Sequence, residues 1–253
     1  MKREILINAG ARETRVAMLE DDQLVELMVD RPDNRRMVGD IYLGRVDAVL
    51  PGIQAAFVDI GTEKSAFLHA SDLVFPDEEA KEDEDDDDDV DAPSGDAAEE
   101  EEPAAENGGG GGGRRRDRRA KAPPIQDMLK RGQEILVQVS KEPISTKGPR
   151  VTAQVSLAGR FLVYIPSASR VGVSRKIGER EERKRLRELV QKVLPEDSGG
   201  VIVRTVGEDV TEDTFRRDLQ SLQNQWKKIQ RKMHFQKAPT LVHRETSLTR
   251  GLI

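Results

Sequence analysis

Residues 77–121 constrain the fold more than any other stretch of this chain, because they cannot contribute to a core. They read "DEEAKEDEDDDDDVDAPSGDAAEEEEPAAENGGGGGGRRRDRRAK": 18 acidic residues against one lysine, six consecutive glycines, then six basic residues against one acidic. With no hydrophobic period and little to bury, such a stretch cannot offset its own chain entropy, and a disordered insertion is expected over residues 75–123. The material that folds must come from the two flanks, and a long surface insertion between them costs little in loop-closure entropy.

The insertion also masks the charge of the rest. Its acidic block carries −17 and its basic block +5, so removing both from the net −6 of the chain leaves +6 on the flanks. A mildly basic folded part is compatible with a polyanionic partner. There is no cysteine among the 253 residues, which excludes disulfides and thiolate metal sites and fits a reducing compartment. No apolar run reaches the roughly 18 residues of a membrane span. The first residues, "MKREILINAG", lack the apolar core and cleavage site of a secretory signal, so a soluble, cytoplasmic protein is expected.

On the first flank, "EILINAG" and "ETRVAMLEDDQLVELMVDRP" hold three apolar runs split by Gly10 and by Asp21 and Asp22, the spacing of a small antiparallel meander. The next stretch, "GDIYLGRVDAVLPGIQAAFVDIGTEKSAFLHASDL", has short β-rich runs punctuated by Gly39, Gly44, Pro51, Gly52 and Gly61. On the second flank, "LKRGQEILVQVSKEPISTKGPRVTAQVSLAG" adds two strands around "KGP", making the five short strands that a small closed barrel needs. A strand "RFLVYIP" and a loop "SASRVGVSRKI" follow. Then "GEREERKRLRELVQKVLP" places Leu186, Leu189, Val190 and Val193 on one face of a helix stopped by Pro195. From Thr211 a longer helix carries Phe215, Leu219, Leu222, Trp226, Ile229 and Met233 at spacings of three and four, a core-facing stripe. The expected class is α+β.

Two stretches carry candidate chemistry. In the barrel segment Tyr42, Phe57, Phe67 and His69 lie among basic groups, and barrels of the OB type bind single strands by stacking bases on exposed aromatics beside a positive groove. Lys141, Lys147 and Arg150 could supply that groove; equally, Phe57 and Phe67 could be plain barrel core. In "VIVRTVG" a buried run ends on Arg204 and Thr205. These read either as a strand end reaching water or as a phosphate grip, in which a guanidinium bridges two oxygens and a hydroxyl takes a third direction. His69, His234 and His243 stand singly and read as satisfied polar residues. Consecutive carboxylates on a flexible chain do not prearrange a metal's oxygen shell, so the acidic run reads as no metal site.

The segments "ILINAG", "GDIYLGRV", "AFVDIG", "VSKEPISTKGPRVT", "SLAGRFLVYIP", "GVSRKI" and "VIVRTVG", in that order, resemble the N-terminal half of the ribonuclease E/G family. The resemblance covers nearly all of the chain except the insertion. It implies a ribonuclease-H-like subdomain split between residues 1–34 and 208–253. An OB-fold RNA-binding barrel at 35–74 and 124–155, and a 5′-monophosphate sensor at 156–207, would interrupt it. It implies that Phe57, Phe67, Lys147 and, more weakly, Lys141 contact single-stranded RNA. It also implies that Arg204, Thr205 and the backbone amide of Val163 grip the 5′-monophosphate, with Arg175 and Lys176 contacting the RNA end or its base. A triphosphate would not fit a pocket closed around one phosphate.

The family cleaves RNA with Mg2+ held by acidic residues of a following domain, and members form homo-oligomers linked through a cysteine pair and zinc. The sequence stops at "TLVHRETSLTRGLI", where that domain would begin, and has no cysteine. No cofactor is therefore expected in this chain, and RNA binding without cleavage is expected of it by itself. The resemblance leaves two readings: the recognition half of an endoribonuclease acting in RNA processing and decay, or a free-standing, non-catalytic RNA-binding module.

Overall fold

The computed structural model describes residues 2–10, 12–31, 36–73, 123–195 and 198–245. The expected disordered insertion lies outside the described residues, apart from its last residue, Pro123. The chain divides into two compact units. The first is Met1–Leu73 with Pro124–Val155 and Lys228–Ile253; the second is Val74–Pro123 with Ser156–Lys227. Both α and β structure are present, as the sequence patterns predict.

In the first unit, β1 (Arg3–Ala9), β2 (Thr14–Glu20) and β3 (Gln23–Asp30) form the expected antiparallel meander in that order. The turn between β2 and β3 uses Asp21 and Asp22, both at positive φ, a conformation that aspartate tolerates better than most residues. The register sets Leu6, Ala17 and Leu27 side by side, and Ile7, Val16 and Met28 in the next row. Adjacent rows point to opposite faces, so both faces of this sheet carry apolar side chains. Only Val16 among these six is fully buried, while Leu6 and Leu27 are more than half exposed.

The same unit holds a closed five-stranded barrel. Its strands are β4 (Ile41–Leu50), β5 (Ala55–Asp59), β6 (Ala66–His69), β7 (Glu134–Lys141) and β8 (Arg150–Thr152). They pair as β4-β5-β6-β8-β7 and close through β7 back onto β4; all pairs are antiparallel except β6 with β8. Closure depends on the length of β4, whose first half pairs with β7 and second half with β5. Val46, Ala56, Val58, Ala66, Leu68, Val137, Val139 and Val151 fill the interior with no more than 1% exposure, and Ile125 and Leu129, at either end of the one-turn helix α1 (Ile125–Met128) and its cap, join that core. A short later strand, β13 (Thr240–His243), adds to the free edge of β4.

The second unit is built on a four-stranded sheet. Its strands are β9 (Leu157–Ala158), β10 (Leu162–Ile165), β11 (Val171–Val173) and β12 (Gly200–Val203), ordered β11-β12-β10-β9, with β11 and β12 parallel and the rest antiparallel. Helix α2 (Arg180–Val193) packs beside β11 and buries Leu186 and Val190 completely, which stabilises the unit by about 1.5–3 kcal/mol per side chain. Helix α3 (Glu212–Phe235) begins in this unit, where Phe215, Leu219 and Leu222 are buried, in line with the predicted stripe. Among the described residues no helix is long and apolar enough to cross a membrane.

Two stretches differ from expectation: "SASRVGVSRKI", expected as a loop, contains β11 because Val171–Val173 pair with β12, and β12 itself ends early. The run "VIVRTVG" leaves the sheet at Val203, and Thr205–Gly207 form a 3-10 turn instead. The reason is local: Gly207 N–H donates to Arg204 O at 2.8 Å and Glu208 N–H to Thr205 O at 3.3 Å, closing the turn immediately after the last rung.

Candidate nucleic-acid interface

The barrel resolves the choice left open for its aromatics. Val58 and Ala66 flank Phe57 and Phe67 on the inward register and are fully buried, so strand alternation turns the two phenyl groups outward. Phe57 is 37% exposed, and Phe67, directly opposite it, is half-buried. Their rings meet edge to face, with centroids 6.2 Å apart and planes at 68°. They are surface residues, not core.

The same register continues across the barrel. Phe67 pairs with Arg150 on β8, and Arg150 with Lys141 on β7, so Phe57, Phe67, Arg150 and Lys141 make one row over four strands. Arg150 is engaged, donating from Nε and Nη2 to Asp72 Oδ2 at 3.2 and 2.9 Å. Lys141 is exposed. Lys147, also exposed, sits in the turn between β7 and β8, its N–H donating to Ile144 O at 2.9 Å. The next residue must be glycine: a Cβ on Gly148 would lie 2.1 Å from Ser65 O, so the turn is pressed directly against the start of β6. Pro149 O then accepts Phe67 N–H at 2.8 Å, tying the Lys147 turn to the aromatic strand.

Two features here escaped the sequence reading. Lys64 Nζ donates to Ser145 O at 3.1 Å, bringing another cation to the same turn, and Ile144 at its tip is 70% exposed. The first has no pattern in the sequence, since it depends on a contact between distant segments. His69 orders its own turn, its Nδ1 meeting Ser71 Oγ at 2.8 Å and accepting Ser71 N–H at 3.2 Å. His243, half-buried on β13, is held below the usual imidazole range by burial and by Lys232.

In the second unit three segments meet at one end of the sheet. Strands β11 and β12 are parallel and in register at Val173 and Val203, so the residues after each emerge from the same edge: Arg175 and Lys176 after one, Arg204 and Thr205 after the other. Ser174 N–H donates to Val203 O at 2.8 Å and locks the two exits together. The third segment is the turn leading into β10, residues 159–161. Arg204 bonds to it twice, N–H to Phe161 O at 2.8 Å and Nη1 to Gly159 O at 2.7 Å. Arg175, Lys176, Arg204 and Thr205 are all exposed. Val163 lies one rung into β10, half-buried between Ile202 and Ala158. Arg160, which the sequence reading passed over, is exposed on this turn, with its guanidinium carbon 5.4 Å from the Phe161 ring centroid.

The predicted residues thus fall into two groups, one in each unit: Phe57, Phe67, Lys141 and Lys147 on the barrel, and Val163, Arg175, Lys176, Arg204 and Thr205 at the sheet end. Among the described residues no group of three or more His, Cys, Asp or Glu is arranged to hold a metal ion.

The family model described as "Ribonuclease E/G family" matches residues 156–253. Ribonuclease G of Haemophilus influenzae is 39% identical over 226 residues, covering 89% of this chain and 39% of that protein. Ribonuclease G of Escherichia coli K12 is 37% identical over 229 residues, covering 90% and 40%. Ribonuclease E of Synechocystis is 36% identical over 238 residues, covering 94% and 29%. The chain thus spans about two fifths of the length of the ribonuclease G relatives and less of the ribonuclease E. By likeness over nine tenths of its own length, this chain belongs to the ribonuclease E/G family.

Proposed function

We propose that this chain is the RNA-recognition part of a ribonuclease E/G-type endoribonuclease that acts in RNA processing, binding single-stranded RNA on the barrel and its 5′-monophosphate end at the sheet edge of the second unit. The observation that carries the reading is the outward pair Phe57 and Phe67, set on adjacent strands beside the Lys147 turn. The closed strand order β4-β5-β6-β8-β7 supports reading the barrel as OB-type, and OB folds bind oligonucleotides on their second and third strands and on the loop between the last two strands. Those are β5, β6 and the Lys147 turn. A base can stack on an outward phenyl whatever its identity, and the lysines attract the backbone without reading sequence.

For the 5′ end, the support is convergence. Arg204, Thr205, Arg175 and Lys176 emerge together, and a terminal monophosphate with its several acceptor oxygens matches a guanidinium, a hydroxyl and further cations. Hydrolysis of the RNA, which on this reading uses Mg2+, is assigned to the portion of the full-length relatives outside the span of this chain. The residues described here bind and orient the strand.

The test is a titration of single-stranded RNA by fluorescence anisotropy. Phe57→Ala and Phe67→Ala are each expected to weaken binding by ~1–3 kcal/mol with the melting temperature unchanged within a few degrees. Unchanged affinity in both variants would refute the stacking surface.

A further inference from the structure

We infer that Asp218 is a positioning residue for the 5′-phosphate contact of Arg204, acting through the turn at residues 159–162. The inference rests on the end-recognition reading proposed above. Asp218 stands in the second turn of α3 and its carboxylate accepts three successive backbone donors: Phe161 and Leu162 on Oδ2 at 2.9 and 3.0 Å, and Arg160 on Oδ1 at 3.3 Å. The opposite side of the same turn faces Arg204, through Gly159 O and Phe161 O.

The pairing is peptide by peptide. The amide that joins Gly159 to Arg160 gives its N–H to Asp218 and its carbonyl to the Arg204 guanidinium; the amide that joins Phe161 to Leu162 gives its N–H to Asp218 and its carbonyl to the Arg204 backbone N–H. Each peptide group is polarised by the carboxylate on one side, which strengthens the bond it accepts on the other. A negative charge is thereby linked to the guanidinium without touching it, and the guanidinium is left with one Nη fixed and its remaining donors for a ligand. Gly159 is part of the device, because a Cβ there would lie 2.6 Å from Asp218 Oδ2 and would push the carboxylate off the turn.

The test compares 5′-monophosphorylated and 5′-hydroxyl forms of one RNA oligonucleotide, titrated against the whole chain and against Arg204→Ala, Asp218→Ala, Asp218→Asn and Gly159→Ala. Asp218→Ala and Gly159→Ala are expected to reduce the preference for the monophosphate about tenfold, the scale of one charge-assisted hydrogen bond, while leaving affinity for the hydroxyl end intact. Asp218→Asn, which keeps an acceptor for Phe161 and Leu162 but loses the charge, should fall between. The Arg204 guanidinium 15N resonance of the RNA-free chain should shift in each Asp218 variant, which a general loss of stability would not produce. If Asp218→Ala fails to fold, the Asn variant decides. A wild-type preference that Arg204→Ala abolishes but the Asp218 variants keep overturns this inference alone. A wild-type chain that does not distinguish the two ends overturns the end-recognition reading, and the inference with it.

Discussion

At the scale of single residues, the proposed end recognition asks Arg204 to do two jobs that a lysine could not combine. Its Nη1 is spent on Gly159 O, and recognition of a phosphate needs further donors in the same plane. Arg204→Lys is therefore expected to fold normally and to lose most of the monophosphate preference, by about 1.5–3 kcal/mol, while still binding RNA through the barrel. Measuring both ends with this variant checks it; full preference retained in Arg204→Lys would mean that charge alone suffices. Arg204 and Thr205 could be singled out in the sequence because a buried β-branched run stops on them. Asp218 could not, since an aspartate in "RRDLQ" reads as one more solvated charge on a helix, and only the folded turn brings three amides to it. For Phe57 and Phe67 composition left core and surface equally open. The deciding fact was register, with buried small residues next to each ring.

At the scale of elements, the meander and α3 followed the sequence patterns closely because their signals are local: Gly and Asp turns for the meander, a three-four apolar stripe for α3. The exit of β12 did not, because the 3-10 turn at Thr205–Gly207 is closed by backbone bonds that no residue pattern announces. The early end matters to the proposed site, since Arg204 keeps its backbone bond to Phe161 O while its side chain turns toward residue 159. The β7–β8 turn makes a sharper prediction. With Ser65 O only 2.1 Å from where a Cβ would stand, Gly148→Ala must displace the turn from β6, and the loss should be at least ~1–3 kcal/mol of stability. The same change should weaken RNA binding, because Lys147 moves with its turn. Urea unfolding together with RNA titration checks both, and a variant as stable as the parent would contradict the close approach.

At the scale of the whole molecule, the charge is unevenly spread: −12 in residues 77–121 and +6 elsewhere. If the acidic block competes with RNA for the basic surfaces, deleting residues 77–121 should tighten RNA binding at low salt, and the gain should shrink as salt rises because counterions screen both effects. Equal affinities for the two forms at low salt would remove the acidic block from the picture. The meander raises a different issue. A three-stranded sheet with apolar rows on both faces has no side made for water, and Leu6, Leu24, Val25 and Leu27 remain more than half exposed. In colloidal terms this is the poorly wetted part of the particle. Concentration, rather than temperature, should therefore set the practical limit on keeping this chain in solution, and charged residues placed along Leu6 and Leu27 are where that limit would be raised.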